Sequence, residues 1–270
     1  AFDDDMYRFI KREKEEGNLF IIFSLDDLAH NLPRGNPQRK KIFRDVKYRL
    51  RRTLQLCDRL IVSTQPLADE YRELCDDIVI VPNSLDLSRW EGLVSQQGQS
   101  KKLRVGWAGA QQHFSDLEIL FDVVKETSDK IDWIFFGMCP DEIRSYVKES
   151  HGFTSFEAYP EKLASLNLDL AVAPLENHPF NEAKSNLRLL EYGILSLPVI
   201  CSEIYPYQTH NPPVTRVNND KEAWLAAINN ALTKRDTLKT EGKALQQWVK
   251  ENYLLEHHIE AWVEALKETL

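Results

Sequence analysis

The sequence predicts an α/β protein of two doubly wound lobes, each a parallel sheet with helices on both faces, the first lobe apparently incomplete. Three observations predict it. Short apolar runs rich in Val, Ile and Phe alternate with helix-period segments from Phe20 to Cys201. Such alternation means βαβ units, hence parallel strands. The alternation stops once, over the polar stretch 84–102, whose SQQGQSKK centre reads as a linker, and then restarts. Finally, 270 residues with 43% apolar side chains suffice for two lobes with real cores.

Residues 3–16 read as a helix. The run 18–25 (NLFIIFSL) is a buried strand that delivers Asp26 and Asp27 at its carboxyl end. A loop with Pro33, Gly35 and Pro37 follows. Residues 38–56 read as a helix with Phe43, Val46, Leu50, Leu54 and Cys57 at three- and four-residue spacing. A strand at 59–63, a helix at 66–74 and a strand at 77–81 end at Pro82-Asn83, so the first unit is 1–83 and 84–102 the linker. Beyond it, strands are expected at 103–108, 131–136, 153–157, 168–173 and 198–201. Helices are expected at 114–128, 140–149, 160–166 and 183–195. Further helices close a second unit at 103–250 and a final segment at 251–270, the last presenting Leu255, Ile259, Trp262, Val263 and Leu266 on one face.

No run of eighteen apolar residues exists, so no membrane-spanning helix is expected. The start, Ala1-Phe2-Asp3-Asp4-Asp5, is acidic, lacks the regions of a signal peptide and opens directly into a helical pattern. The natural protein is expected to continue upstream. The four cysteines form no CxxC pair and read as buried thiols of a cytoplasmic protein. Net charge is −8, unevenly spread: from Arg34 to Arg52 nine basic residues meet one acid, Asp45, a segment charge of +8 that leaves −16 elsewhere. An acidic body argues against nucleic-acid binding. The basic helix 38–52 is either a solvated face or a contact for an anionic membrane surface or a polyprenyl-diphosphate acceptor, which would make the protein peripheral at the inner membrane.

Open α/β sheets bind ligands beyond the carboxyl ends of their strands. That rule selects the loops 26–37, 64–66, 109–113, 137–140, 158–160 and 174–186. In the last, Lys184, Ser185 and Asn186 open a helix. A helix N-terminus offers unpaired N–H groups and a positive dipole end, which suit a pyrophosphate, and Lys184 adds a cation. Glu191 follows seven residues later, about two turns, so both side chains are expected on one helix face, the carboxylate accepting from ribose hydroxyls. The alternative is a capped surface helix with an ordinary exposed Glu.

These residues resemble the retaining glycosyltransferases of GT-B architecture, family-four-like, whose two lobes are Rossmann-like. The likeness rests on Glu191-Tyr192-Gly193 followed by Leu197-Pro198-Val199-Ile200, on the loop Pro174-Leu175-Glu176 through Pro179 to Asn186, on Val81 to Asp86 and on Val105 to Gly109. The loop looks like that of a bacterial subgroup of surface-polysaccharide and protein glycosylation. The resemblance implies that 103–250 is the nucleotide-sugar donor lobe. It makes 1–83 the C-terminal part of the acceptor lobe and 251–270 a helix packing back toward the first lobe. It implies hexosyl transfer to a glycan, lipid-linked or protein acceptor, with no cofactor and no metal. Two departures stand out. Family members often carry Glu-x₇-Glu, but Ala183 occupies the first position, so Glu182, Asn181 or backbone is the expected sugar contact. The loop Gly109-Ala110-Gln111-Gln112-His113 lacks the usual phosphate-binding Arg and Lys, leaving His113 as a phosphate contact or a helix-flanking residue. Gly137 and Tyr159 fall where the nucleobase is expected. Asp26 and Asp27 are catalytic or acceptor-side candidates, or loop caps, with His30 a weaker candidate nearby. The rival readings are a nucleotide-sugar 2-epimerase of the same fold and a non-catalytic module of a larger assembly.

Overall fold

The computed structural model describes residues 3–17, 19–33, 35–40 and 44–268, apart from the side chains of Pro37 and Gln38. Asn18, Arg34, Lys41 and Phe43, used above, lie outside the described residues, as do the first two and last two of the chain.

Helix α1 (Asp4–Glu16) is capped by Asp3, whose carboxylate accepts from the Met6 amide. Strand β1 (Ile22–Leu25), helix α2 (Val46–Leu54), strand β2 (Arg59–Val62), helix α3 (Gln65–Tyr71) and strand β3 (Ile78–Ile80) complete the first lobe. Its strands form one parallel sheet in the order β1-β2-β3. The central β2 is buried at every position. The helix expected over 38–56 starts only at Val46, after a 3₁₀ turn at Pro37–Lys40. From Val46 on the helix has a core to pack against: Val46, Leu50 and Leu54 are buried, whereas Lys40 and Arg44 are exposed.

The second lobe runs β4 (Leu103–Gly109), α4 (Phe114–Glu118), α5 (Phe121–Thr127), β5 (Ile131–Gly137), β6 (Glu149–His151), α6 (Tyr159–Ser165), β7 (Leu170–Ala173), α7 (Pro179–Glu182), α8 (Leu187–Ile194), β8 (Val199–Ser202), β9 (Thr215–Val217), α9 (Lys221–Thr233) and α10 (Leu238–Asn252). Its sheet is parallel throughout, in the order β6-β5-β4-β7-β8-β9. Three expectations need correction. The segment 140–149 is no helix: only one 3₁₀ turn forms, Arg144–Tyr146, and the chain then enters β6, because Ile143 alone offers a fully buried anchor. Residues 153–157 are no strand and leave Phe153 and Phe156 exposed. The helix expected from 183 starts at Leu187, and Lys184 sits in the turn between α7 and α8.

The polar stretch 84–102 is packed rather than free. Trp90 and Ser95 are buried, Ser95 Oγ donates to the Leu168 carbonyl, and Gln97 donates to that of Ser196. After α10 the chain crosses back: Leu85 N–H donates to the Tyr253 carbonyl, and Leu255 N–H to that of Leu85. Helix α11 (Ile259–Ala265) then meets the first sheet, Ala265 packing with Ile61 and Val81. There Arg59 Nη1 donates to the carbonyls of Glu264, Ala265 and Lys267. The lobes also touch across the cleft. Phe180 and Ala183 lie in the apolar cluster of Leu28, Leu67 and Tyr71, and Thr64 Oγ1 donates to the Ala183 carbonyl at 2.8 Å. All four cysteines are free and buried. Among the described residues no helix is long and apolar enough to cross a membrane.

Candidate functional site

The carboxyl ends of β1, β4, β5 and β7 converge on the cleft between the lobes, where two adjoining cavities open. The smaller, about 250 Å³, is bordered by Asp26 and Asp27 from β1, His113 after β4, and Lys184 and Arg188 around the start of α8. The larger, about 780 Å³, is bordered by Gly109, Gly137, Phe136, Phe153 and Tyr159. Arg188 and Glu191 border both.

Lys184 and Glu191 do not share a helix, since α8 begins after Lys184; the cavity, not a helical face, brings them together. The Lys184 ammonium lies 4.8 Å from the Phe180 ring centroid. Burial lowers its pKa, against the pull of Asp116 and Asp27. Arg188, absent from the sequence reading, is the second cation. Its Nη1 donates to Tyr159 Oη at 2.7 Å and to Glu191 Oε2 at 2.9 Å, and Tyr159 Oη donates to the same carboxylate oxygen at 3.0 Å. Tyr159 in turn stacks on Phe136, with ring centroids 5.4 Å apart. A signal for Arg188 existed: a basic residue three before Glu191, in the first turn of an anion-facing helix.

Gly137 shows why side chains are excluded from the larger cavity's floor. Its φ is +94°, and a Cβ there would stand 2.3 Å from the Gly109 carbonyl oxygen. The ends of β4 and β5 therefore offer bare backbone.

Other candidates hold the site together or face elsewhere. His113 Nδ1 lies 2.8 Å from Asp116, whose other oxygen accepts from the Glu176 amide and from Asn181 Nδ2. Burial lowers the His113 pKa. Asn181 also donates to the Glu176 carbonyl, so its amide braces the loop. Glu182 accepts from the Tyr205 amide. Neither Asn181 nor Glu182 borders the two cavities. Ala183, at the position the resemblance assigned to a Glu, is 3% exposed inside the first lobe's core, where a carboxylate would be desolvated without a partner. Ser185 Oγ accepts from Asn83 Nδ2 at 2.8 Å, tying the second lobe to the crossing segment. Asn186 precedes α8 without a side-chain cap bond and faces a third cavity.

Asp27 keeps surface open to the smaller cavity while the cleft walls surround it. That desolvation pushes its pKa up to about 6, with Lys184 opposing and Asp26 adding to the rise. His30 lies outside both cavities, its Nε2 3.0 Å from Glu70. Among the described residues no group of three His, Cys, Asp or Glu is placed to hold a metal ion.

In sequence the chain matches no family model and no curated protein. In structure it matches sucrose-phosphate synthase from Thermosynechococcus elongatus with a TM-score of 0.72, over 96% of this chain and 70% of that one, at 15% identity. It matches HepE from Anabaena, solved with UDP, with a TM-score of 0.69 over 97% and 75%, at 12% identity. For TarM the values are 0.65, 92% and 50%, at 13% identity. The fold is GT-B. In GT-B terms the two carboxyl sheet edges face one another, and the smaller cavity is bordered by the last residues of β4 and β7, by the loops that follow β1, β4 and β7, and by α8.

Proposed function

We propose that this chain transfers a sugar, of hexosyl type, from a nucleoside-diphosphate sugar to an acceptor held between the lobes. The observation that carries the reading is the joint shared by the two cavities. Arg188 and Glu191 stand between a pocket of aromatic rings and bare backbone and a pocket where Lys184 faces Asp26 and Asp27. A nucleoside diphosphate has the same order of polarity: base, ribose, diphosphate. The base fits beside Gly137 and Tyr159, and the ribose hydroxyls donate to Glu191. The diphosphate meets Lys184, Arg188 and the first-turn amides of α8. Those groups stabilise the leaving diphosphate in place of a metal or cofactor. HepE, whose solved complexes hold UDP and glucose, supports the reading. Asp27 stands on the acceptor side, where a carboxylate orients a hydroxyl or stabilises positive charge at the anomeric carbon. The retaining outcome and a place in bacterial surface-polysaccharide or protein glycosylation follow the resemblance. Peripheral membrane binding is part of the proposal: Lys40, Arg44, Lys47 and Arg51 are exposed around Tyr48.

Calorimetric titration with UDP tests the reading. Glu191→Ala removes a charged acceptor worth about 1.5–3 kcal/mol, so affinity should fall about tenfold to a hundredfold. Arg188→Lys keeps the charge but loses the Nη1 bonds to Glu191 and Tyr159, and should fall too. Unchanged affinity in both Glu191→Ala and Lys184→Ala overturns the assignment.

A further inference from the structure

We propose that His113 is a third cation of the donor site: neutral in the empty cleft, it takes up a proton when a diphosphate binds. The inference rests on the glycosyl-transfer reading and supplies a charge to loop 109–113, which has neither Arg nor Lys. Asp116 sets the ring. It is 3% exposed, and its Oδ1 already accepts from the Glu176 amide and from Asn181 Nδ2, both at 2.8 Å. Its Oδ2 stands 2.8 Å from His113 Nδ1 and accepts from it, so the neutral ring keeps Nε2 as a bare acceptor. The His113 side chain is 20% exposed and borders the smaller cavity. Among the described residues its Nε2 is neither hydrogen-bonded nor walled off.

In the empty cleft the surroundings hold the ring neutral. Burial does most of this, and Lys184 and Arg188 push the same way against Asp116. Asp26 and Asp27 border the cavity from the end of β1, and Glu191 from α8. The 3₁₀ turn Pro37–Lys40 packs against the turn Gln111–His113 and adds Arg39 and Lys40, both exposed. An incoming diphosphate reverses the balance. Its ionised oxygens only accept, so a neutral Nε2 would meet them lone pair to lone pair. Its charge offsets Lys184 and Arg188, and the ring then stands between two anions, Asp116 and a phosphate, each favouring the imidazolium. One proton passes from solvent to Nε2. The imidazolium then donates from Nδ1 to Asp116 and from Nε2 to the diphosphate. When the bond to the anomeric carbon breaks, its electron pair stays on the diphosphate oxygen, and the imidazolium stabilises that added charge. The proton returns to solvent as the nucleotide leaves.

The test counts protons as well as affinity. UDP is titrated calorimetrically into the full chain at about pH 7, in buffers of different ionisation enthalpy, which yields the protons exchanged on binding. Wild type should take up about half a proton or more beyond His113→Gln, a difference in which the protons of UDP itself cancel. His113→Gln should bind UDP about tenfold more weakly, and the gap should narrow as pH rises through about 8. His113→Lys, already charged, should restore affinity without the proton uptake. Nitrogen NMR of the wild-type imidazole, assigned by its loss in His113→Gln, reads the same proton in the unaltered fold: UDP should move both ring nitrogens to the imidazolium position. Equal proton counts in wild type and His113→Gln, with ring nitrogens that stay at the neutral position, overturn the proposal. They do so even where His113→Gln binds UDP more weakly, because Nε2 then accepts from a ligand hydroxyl. If wild type does not bind UDP at all, the glycosyl-transfer reading falls and this inference with it.

Discussion

The second lobe closes its core without the first: Trp133, Phe135 and Trp224 pack on one face of its sheet, Leu189, Tyr192 and Val249 on the other, with Leu85, Trp90, Tyr253 and Leu254 added by the crossing segments. The first lobe borrows. Its three-stranded sheet buries Leu67 and Tyr71 with Phe180 and Ala183 from the opposite lobe, and Ile61 with Ala265 from the closing helix. The contrast shows that the loop before α8 has two tasks. It brings Lys184 to the cleft and, one residue earlier, completes the first lobe's core, so closure of the cleft and stability of the first lobe are energetically linked.

The largest effect should come from breaking that borrowed contact. Phe180→Ala empties a buried aromatic site and should cost about 3–5 kcal/mol. Ala183→Glu, which puts a carboxylate at a 3%-exposed position, should be comparably destabilising because it buries an unpaired charge. Hydrogen exchange should show protection lost first in β2 and α3, with β4, β5 and β7 holding. Loss spread evenly over both sheets would mean the lobes unfold as one unit and the contrast is false.

A smaller effect sharpens the electrostatics of the cleft. The Asp27 pKa is pushed from 3.8 up to about 6. The folded state therefore holds this proton more tightly, and the associated stability is fully present below about pH 4 and lost as pH rises through about 6. Asp27→Asn should flatten that slope in a pH series of melting temperatures. It should lower transfer at neutral pH while UDP affinity barely moves. If Asp27 works as the anion, wild-type transfer should rise through about pH 6. An identical pH series for wild type and variant would return the residue to an ordinary loop position.

The smallest effect is expected at the first lobe's basic surface. Reversing Lys40, Arg44, Lys47 and Arg51 to Glu should abolish salt-sensitive binding to anionic vesicles at about 1 kcal/mol per charge. The second lobe's nucleotide affinity should be unchanged. Equal partitioning to neutral vesicles would make these residues a solvated face.

The parallel strands were legible because their apolar runs are dense, as in Ile131 to Phe136 and Leu168 to Ala173. The edge strands β6 and β9 were not: Glu149-Ser150-His151 and Thr215-Arg216-Val217 carry no apolar alternation, and pairing with a neighbour alone makes them strands. In the site, Lys184 and Glu191 could be singled out by position along the chain. Arg188 could not be ranked above other basic residues until its bonds to Tyr159, 29 residues away, placed it. The seating of Phe180 in the first lobe is a contact more than a hundred residues long, which local pattern does not encode.

Arg59 has a consequence for biosynthesis. Its guanidinium reaches Asp77 early, but the three carbonyls it grips in and beyond α11 lie 205–208 residues downstream. At cellular rates of synthesis that is roughly 10–40 s. During this interval β2 exists without its last partners, and Ile61 and Val81 lack Ala265. The first lobe is thus made first and finished late, so a nascent chain exposes an apolar sheet face that a holdase could cover until α11 emerges.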